Sequence, residues 1–481
     1  MALDTIPKQE GGKLKAVASG TLPSGKPVVV NADGTVSVVE GVAEGAGTPV
    51  VFEAASTIST SATYDANSSK VVIAYRDAGN SSYGTAIVGT VSGTSISFGS
   101  PVVFESSAVD RTAATYHAAA QKIVIAYLDT PEGAHGTAIV GTVSGTSISF
   151  GTAAVFNAAT TDYPSINYDA SSQKVVIAYQ DAGNSEYGTA IVGTVSGTSI
   201  SFGSEQVFES ATANWISATY DANVQKVVIA YRDVGNSSYG TAVVGTVSGT
   251  SISFGSPIVF ESANSFYIAA TYDSNAQKIV ISYTDGGNSS YGTAIVGTVS
   301  GTSISFGSPV VFESASTAYS TPAYDSSSQK IVVAYRDGGN SNAGTIIVGT
   351  VSGTSISFNS PTVFESGQSN YTSPVYDANA NKVVIAYQDE SNSSYGTAAV
   401  FAVGSTNLTS ENYIGMSTGG TVADSDNATI DIVGTVNKEQ SGLTPGQQYY
   451  VQTDGTIGTT PASPSVLAGT AVSATKMVVK S

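Results

Sequence analysis

The chain has 481 residues, 36 of them acidic against 18 basic, for a formal net charge of −18. That surplus repels phosphate and argues against a nucleic-acid partner; with no cysteine there is neither a disulfide framework nor a thiolate metal site. The two histidines, His117 and His135, do not make a zinc site by themselves.

The amino-terminal stretch MALDTIPKQEGGKLKAV carries lysines but no apolar core, so no secretory signal is expected. No run of about 18 apolar residues occurs, so no membrane insertion is expected either. Residues 19–37, SGTLPSGKPVVVNADGTVS, read as a small β module. Residues 441–458, SGLTPGQQYYVQTDGTIG, align with them on Gly25 and Gly446 and share the turn, the β-run and the Asp-Gly-Thr turn.

Between these tails the chain repeats itself. The phenylalanine of a VF-E motif stands at Phe52, Phe104, Phe156, Phe208, Phe260, Phe312 and Phe364, a constant period of 52 residues. The tyrosine of a YD motif keeps the same register from Tyr64 to Tyr376. Each repeat offers four strand signals: ISTSATYD, KVVIAYRD, GTAIVGTVS and, after an SGT turn, SISFGSPVVFE. KVVIAYRD is apolar on both faces, as a strand sandwiched between neighbours must be. The seventh repeat stops after GTAAVFAVG without a fourth strand, whereas TPVVFEA at residues 48–54 is a fourth strand with no repeat before it. Pairing the two closes a ring and leaves only short sheet edges. The expected fold is all-β: a seven-bladed β-propeller of four-stranded blades over residues 48–404, closed by an N-terminal strand. Small β anchor modules are expected at 1–47 and 405–481, both leaving the ring on one face.

The stretch GTAIVGTVSGTSISFGS recurs almost unchanged from Gly84 onward, but the segment before each YD varies. On strand direction that segment is a loop between blades on the opposite face from the tails, where diversity implies display. One aligned position within it holds Ser59, Arg111, Tyr163, Trp215, Tyr267, Tyr319 and Tyr371, and the residue before it is Ile58, Asp110, Asp162, Asn214, Phe266, Ala318 or Asn370. Both positions should rim the mouth of the central channel. Aromatic faces stack on sugar C–H surfaces while polar neighbours bond hydroxyls. Arg111, Asp162, Tyr163, Trp215, Tyr267, Tyr319 and Tyr371 are therefore the candidate ligand-binding residues; the competing reading is that the aromatics plug the channel.

Other repeated side chains carry weaker signals. Asp77 and its equivalents end every second strand and could gather calcium with Asn80, although Asp there ordinarily caps its own turn. Neither a catalytic residue, a metal site nor a cofactor is assigned. Lys70 and its six equivalents read as solvated lysines weakly paired with the nearby YD acid.

The repeat resembles the blades of sialidase-like propellers, in which an apolar first strand ending in Asp precedes an AY-x-D second strand. Those families carry S-x-D-x-G-x-T-W at the last turn, where this chain reads SGTSISF without the Asp. Their three-arginine clamp has no counterpart, because Arg76, Arg232 and Arg336 occupy one equivalent position in three repeats. The segment NYIGMST…GLTPGQQYYVQTDGTIG…LAGTAVSATKMVVK resembles modules of tailed-bacteriophage virion proteins, and the NSSYGTAIVGTVSGTSISFG repeat resembles repeats in structural proteins of marine phages. These resemblances imply a virion surface protein, released by lysis without a signal peptide. The expectation is a non-enzymatic tail-fibre or receptor-binding protein, whose terminal modules hold other virion proteins and whose propeller binds a host surface glycan. The alternatives are a capsid decoration protein of the phage head and a glycan-cleaving enzyme of sialidase type.

Overall fold

The computed structural model describes residues 12–462 and 464–480. The first 11 residues of the expected N-terminal module, and most of the stretch read for a secretory signal, lie outside them. Among the described residues the protein is all-β, and its helical elements are four 3₁₀ turns. The chain divides into a body of repeats, Gly45–Ala402, and a second body formed by the segments that flank it in sequence.

Repeat 2 shows how a repeat is built. Its second strand, Lys122–Asp129, pairs antiparallel with Val102–His117 on one side and His135–Ser144 on the other. Ile123, Val124 and Ile125 are fully buried, with alternate side chains entering different layers. Val124, Ala126, Ala138 and Val140 pack against Phe156, Val175 and Ile177 of the following repeat. The apolar core therefore lies between repeats, which explains why both faces of this strand are aliphatic. Gly145, at φ +62°, turns the third strand into the short outer strand Ser147–Phe150.

The structure differs from the sequence expectation in how the repeats are joined. The expected strand SISFGSPVVFE breaks at its Gly-Ser-Pro, and beyond the break runs one 16-residue strand, Val102–His117 in repeat 2. Its first half pairs with the third strand of the preceding repeat (Val102↔Ala86), its second half with the second strand of its own (Ala113↔Ala126). The segment expected to be a loop is thus strand, interrupted by a bulge between Asp110 and Ala113. At the end of the array Tyr395–Ala402 pairs with Val50–Asp65 from its beginning (Tyr395↔Ser56, Thr397↔Val51), and with Gly45–Ala46.

Repeated motifs map onto repeated contacts. The VF-E phenylalanine packs beside the buried tyrosine of the second strand, ring centroids 5.2 Å apart for Phe104 and Tyr127. The tyrosine hydroxyl donates to the glutamate of the same motif, Tyr127 to Glu105 at 3.0 Å. The YD aspartates cap the first turn: Asp65 accepts from the Asn67 and Ser68 amides at 2.9 and 3.2 Å. Although Asp65 sits opposite Lys70 in the ladder, the only ion pairs among the described residues involve Lys13, Arg76 and Arg111. The expected Lys–Asp pairs are therefore absent there, and the YD carboxylates bond turn amides instead.

The second body corrects the picture of two separate tail modules. Its first sheet runs Lys13–Val17, Asn427–Ile432, Tyr413–Thr418, Pro27–Val30, Val36–Val38, so two adjacent C-terminal strands lie between N-terminal strands. A two-stranded hairpin alone is marginal, and here Pro27–Val30 gains a second partner in Tyr413–Thr418. The second sheet comes from the C-terminal segment alone. Val29, Met416, Tyr449 and Met477 share one apolar cluster. The likeness of the two tail stretches holds in detail, since Asp33 and Asp454 cap equivalent turns through the Thr35 and Thr456 amides at 3.0 and 2.9 Å.

Candidate functional site

The aligned variable position is the first residue of the bulge, and its backbone is unusual in every repeat. Ser59, Arg111, Tyr163, Trp215, Tyr267, Tyr319 and Tyr371 all have φ between 48° and 54°. Bulky side chains rarely adopt this left-handed region, at a cost of about 1–3 kcal/mol each, and such strain concentrates at binding sites. The bulge turns these side chains out of the ladder and sets them against one another.

Five of them form a fan. Ring centroids lie 5.3 Å apart for Tyr163 and Trp215, 4.4 Å for Trp215 and Tyr267, and 4.9 Å for Tyr267–Tyr319 and Tyr319–Tyr371. Neighbouring planes are tilted by 47–55°. Every member is half-buried. Arg111 extends the fan at one end, its guanidinium 4.8 Å from the Tyr163 ring centre and its Nε 3.0 Å from Asp162 Oδ1. Burial works against the Arg111 charge, but Asp162, Tyr163 and Asp110 outweigh it and raise its pKa above the ordinary value. Burial also raises the Tyr163 hydroxyl pKa, assisted by Asp162.

Beside the fan lies a cavity of about 290 Å³, near the lower end for small-molecule sites. Arg111, Tyr163, Trp215 and Tyr371 line it together with Ser59. Tyr267 and Tyr319 continue the fan but do not line the cavity, and Asp162 acts behind Arg111 rather than at the wall. Sequence reasoning missed Pro164, Ile216 and Ile268, which also line it; each stands next to a pattern position, and its significance depends on a neighbour in the preceding repeat.

The residue before the bulge does something other than rim the mouth. It stitches one repeat to the next: Gln180 Nε2 donates to Asn214 at 2.6 Å, Arg336 to Asn370 at 2.7 Å, and Arg76 lies 3.8 Å from Asp110. Arg232 instead stacks 4.8 Å from the Phe266 ring centre. The strand-end aspartates cap turns, with Asp77, Asp233 and Asp389 accepting from the Asn80, Asn236 and Asn392 amides at 3.0, 3.0 and 3.1 Å. Among the described residues no three His, Asp or Glu side chains gather as a metal site would require.

No protein-family model matches the sequence, and no curated protein matches it either. Solved structures do match in fold. The BP39L lectin from Burkholderia pseudomallei aligns over 74% of this chain and 99% of its own, at 10% identity and a TM-score of 0.55. The β-propeller domain of Cps50 (Swd1) from Myceliophteria thermophila aligns over 74% and 99%, at 7% identity and a TM-score of 0.46. The SapL1 lectin in complex with α-methyl fucoside aligns over 64% and 95%, at 15% identity and a TM-score of 0.41. At these identities the likeness concerns the fold, an all-β architecture of the kind in which the BP39L lectin is built.

Proposed function

We propose that the protein binds carbohydrate without chemical turnover, through the aromatic fan of a closed seven-bladed β-propeller. The observation that carries this reading is the fan itself: five half-buried rings beside a cavity of about 290 Å³, with a charged Arg111–Asp162 pair at one end. Rings held at an edge present π-faces to sugar C–H groups, while flanking polar atoms meet hydroxyls. The strained backbone that aims them argues for function over packing. Closure is supported by the pairing of Tyr395–Ala402 with Val50–Asp65 and by seven equivalent repeats. The fold shared with the BP39L lectin is in keeping with the reading. Binding without turnover is supported by the state of the nearest acids. Asp162 accepts from the Tyr163 amide at 2.7 Å and from Arg111, and Asp110 accepts from the Arg111 amide at 2.9 Å. Both carboxylates thus serve to hold the Arg111 end of the fan in place.

The setting we propose is the surface of a bacteriophage particle, in a tail-fibre role, with the flanking body holding other virion proteins. Its support is the resemblance of the repeats and of the C-terminal segment to phage structural proteins. A glycan panel tests binding and turnover together: retention of the protein on a subset of glycans, loss of retention in Trp215→Ala, and no released sugar are expected. Retention on none, or release of reducing ends, overturns the reading. Electron cryomicroscopy of virions tests the setting, and a position on the capsid shell would replace the tail assignment by head decoration.

A further inference from the structure

The carbonyl groups of the strained residues are not treated alike around the array. In four repeats a hydroxyl from the next repeat caps them. Thr112 Oγ1 donates to the Ser59 carbonyl, Thr372 to Tyr319 and Thr60 to Tyr371. Ser320 Oγ donates to Tyr267 at 3.3 Å. The donor is always the residue after the bulge's first position in the following repeat. In the three remaining repeats that residue is Pro164, Ile216 or Ile268, none of which has a side-chain donor. Among the described residues no side chain donates to the carbonyls of Arg111, Tyr163 or Trp215.

These three carbonyls belong to consecutive repeats, on residues that line the cavity. Arg111, Tyr163 and Trp215, with Pro164, Ile216 and Ile268, all line it; the capped Ser59 and Tyr371 line it as well, together with their donors Thr112 and Thr60. Around this one cavity the hydroxyl caps are therefore present on one side and missing on the other, along Arg111, Tyr163 and Trp215. A carbonyl without a side-chain donor keeps capacity to accept, and these three belong to residues lining the cavity beside apolar side chains and an indole ring. The Arg111 charge is already met by Asp162 at 3.0 Å, and the chain carries a net charge of −18.

We propose that the site selects a neutral, hydroxyl-rich sugar end, whose hydroxyls donate to the carbonyl oxygens of Arg111, Tyr163 and Trp215, and that it rejects carboxylated and sulfated sugars. This rests on the carbohydrate-binding reading above and adds the class of sugar and the atoms that recognise it. An acidic sugar end would bring negative charge to these carbonyl acceptors, where repulsion and desolvation both oppose it.

The test exploits an isosteric pair. Ile216→Thr and Ile268→Thr install the hydroxyl cap that other repeats possess, while Ile216→Val and Ile268→Val make the same change of shape without it. Affinities are measured by titration calorimetry with hexose-terminated neutral oligosaccharides and with matched oligosaccharides ending in sialic or uronic acid. The wild-type chain is expected to bind the neutral series. Each Thr variant should bind about tenfold more weakly, the value of roughly one hydrogen bond, and each Val variant within about twofold of wild type. Equal affinities of the Thr and Val variants overturn the proposal, as does tighter binding of the acidic series; in both cases loss of binding in Trp215→Ala leaves the carbohydrate reading standing. Failure of the wild-type chain to bind either series overturns the proposal and the reading together.

Discussion

Asn157 Nδ2 donates to Asp181 Oδ1 at 3.0 Å in the one repeat whose VF-E glutamate is missing. In the other six repeats that glutamate accepts from the buried tyrosine, as Glu261 does from Tyr283 at 3.0 Å. Tyr179, with its glutamate replaced, turns to Glu205 at 2.8 Å. Two substitutions close in space thus keep a fully buried phenol satisfied.

The first prediction rests on this exchange of partners. Glu205→Ala strands the Tyr179 hydroxyl and should cost about 1–3 kcal/mol, the penalty for an unsatisfied buried donor. Adding Asn157→Glu to that background should restore most of the loss. Thermal unfolding of the two variants checks this, and equal melting temperatures for both would break the link.

A second prediction concerns a glycine and its one replacement. A Cβ on Gly203 would come 1.8 Å from the Thr250 carbonyl oxygen in the next repeat's SGT turn, and the same approach recurs from Gly47 to Gly307. The equivalent residue in the sixth repeat is Asn359, and the repeat after it reads GST where the others read SGT. Gly203→Asn should therefore destabilise by at least the 1–3 kcal/mol or so of an overpacked core, whereas Asn359→Gly should change stability by under about 1 kcal/mol. Similar losses in the two variants would contradict this account of the glycine.

These cases show what the sequence made legible. A constant period with β-branched runs located nearly every strand of the repeats, because their side chains meet equivalent neighbours each time. The left-handed bulge was not legible: Tyr163 and Trp215 are not residues that advertise positive φ, and variability there read as a loop. Five candidate side chains came together as a fan, but Pro164, Ile216 and Ile268 escaped notice because their meaning lies in hydroxyls they lack. The mixed terminal sheet was hidden for another reason. Its contacts span about the whole chain, as where the Gly20 amide meets Asp424 at 2.7 Å, and no local pattern records such a pairing.

A third prediction is the response of the repeat body to acid. Burial raises the carboxyl pKa values of Glu53, Glu209, Glu261 and Glu313 above the ordinary value. The folded state then binds these protons more tightly than the unfolded state, so their contribution grows on mild acidification and is lost as pH rises through the folded pKa values. His117 acts in the opposite sense. It stands in the place of a YD aspartate, caps its turn by accepting from the Ala120 amide at 3.1 Å, and is held neutral by burial, which lowers its pKa. Its contribution is present above the unfolded value of about 6.5 and is lost as pH falls toward the folded value. The melting temperature of His117→Asp, followed by the fluorescence of the single Trp215, should therefore rise more than that of wild type between about pH 7 and pH 5. A fall over that window in the variant would contradict the sign.

A fourth prediction separates the two bodies. Removing residues 1–41 takes away the strands that pair with Asn427–Ile432 and Tyr413–Thr418, so the transition of that body should be lost while Trp215 fluorescence reports an unchanged one. Removing residues 1–54 also takes away strand residues paired with Tyr395–Ala402 and exposes an edge. Aggregation or a large fall in melting temperature should result. If Trp215 reports the same transition in both truncated chains, that pairing does not hold the array together.

The last prediction distinguishes a binding fan from a plug. Trp215 lies at φ +49° between Tyr163 and Tyr267 and packs on the core of the following repeat while remaining half-buried. Trp215→Ala removes the ring but keeps a side chain in the left-handed region. Trp215→Gly removes the ring and also relieves a strain of about 1–2 kcal/mol. If the fan binds ligand, both variants should lose glycan affinity by about tenfold or more, and the Gly variant should unfold at a higher temperature than the Ala variant, close to wild type. If the rings serve to fill the channel, both should lose about 3–5 kcal/mol, as for large truncations in a core, with binding reduced only in proportion to the unfolded fraction. Measuring affinity and melting temperature on the same two proteins decides the matter. Near-native stability with lost binding identifies a side chain held in strain for its ligand, whereas lost stability with native affinity per folded molecule identifies a plug.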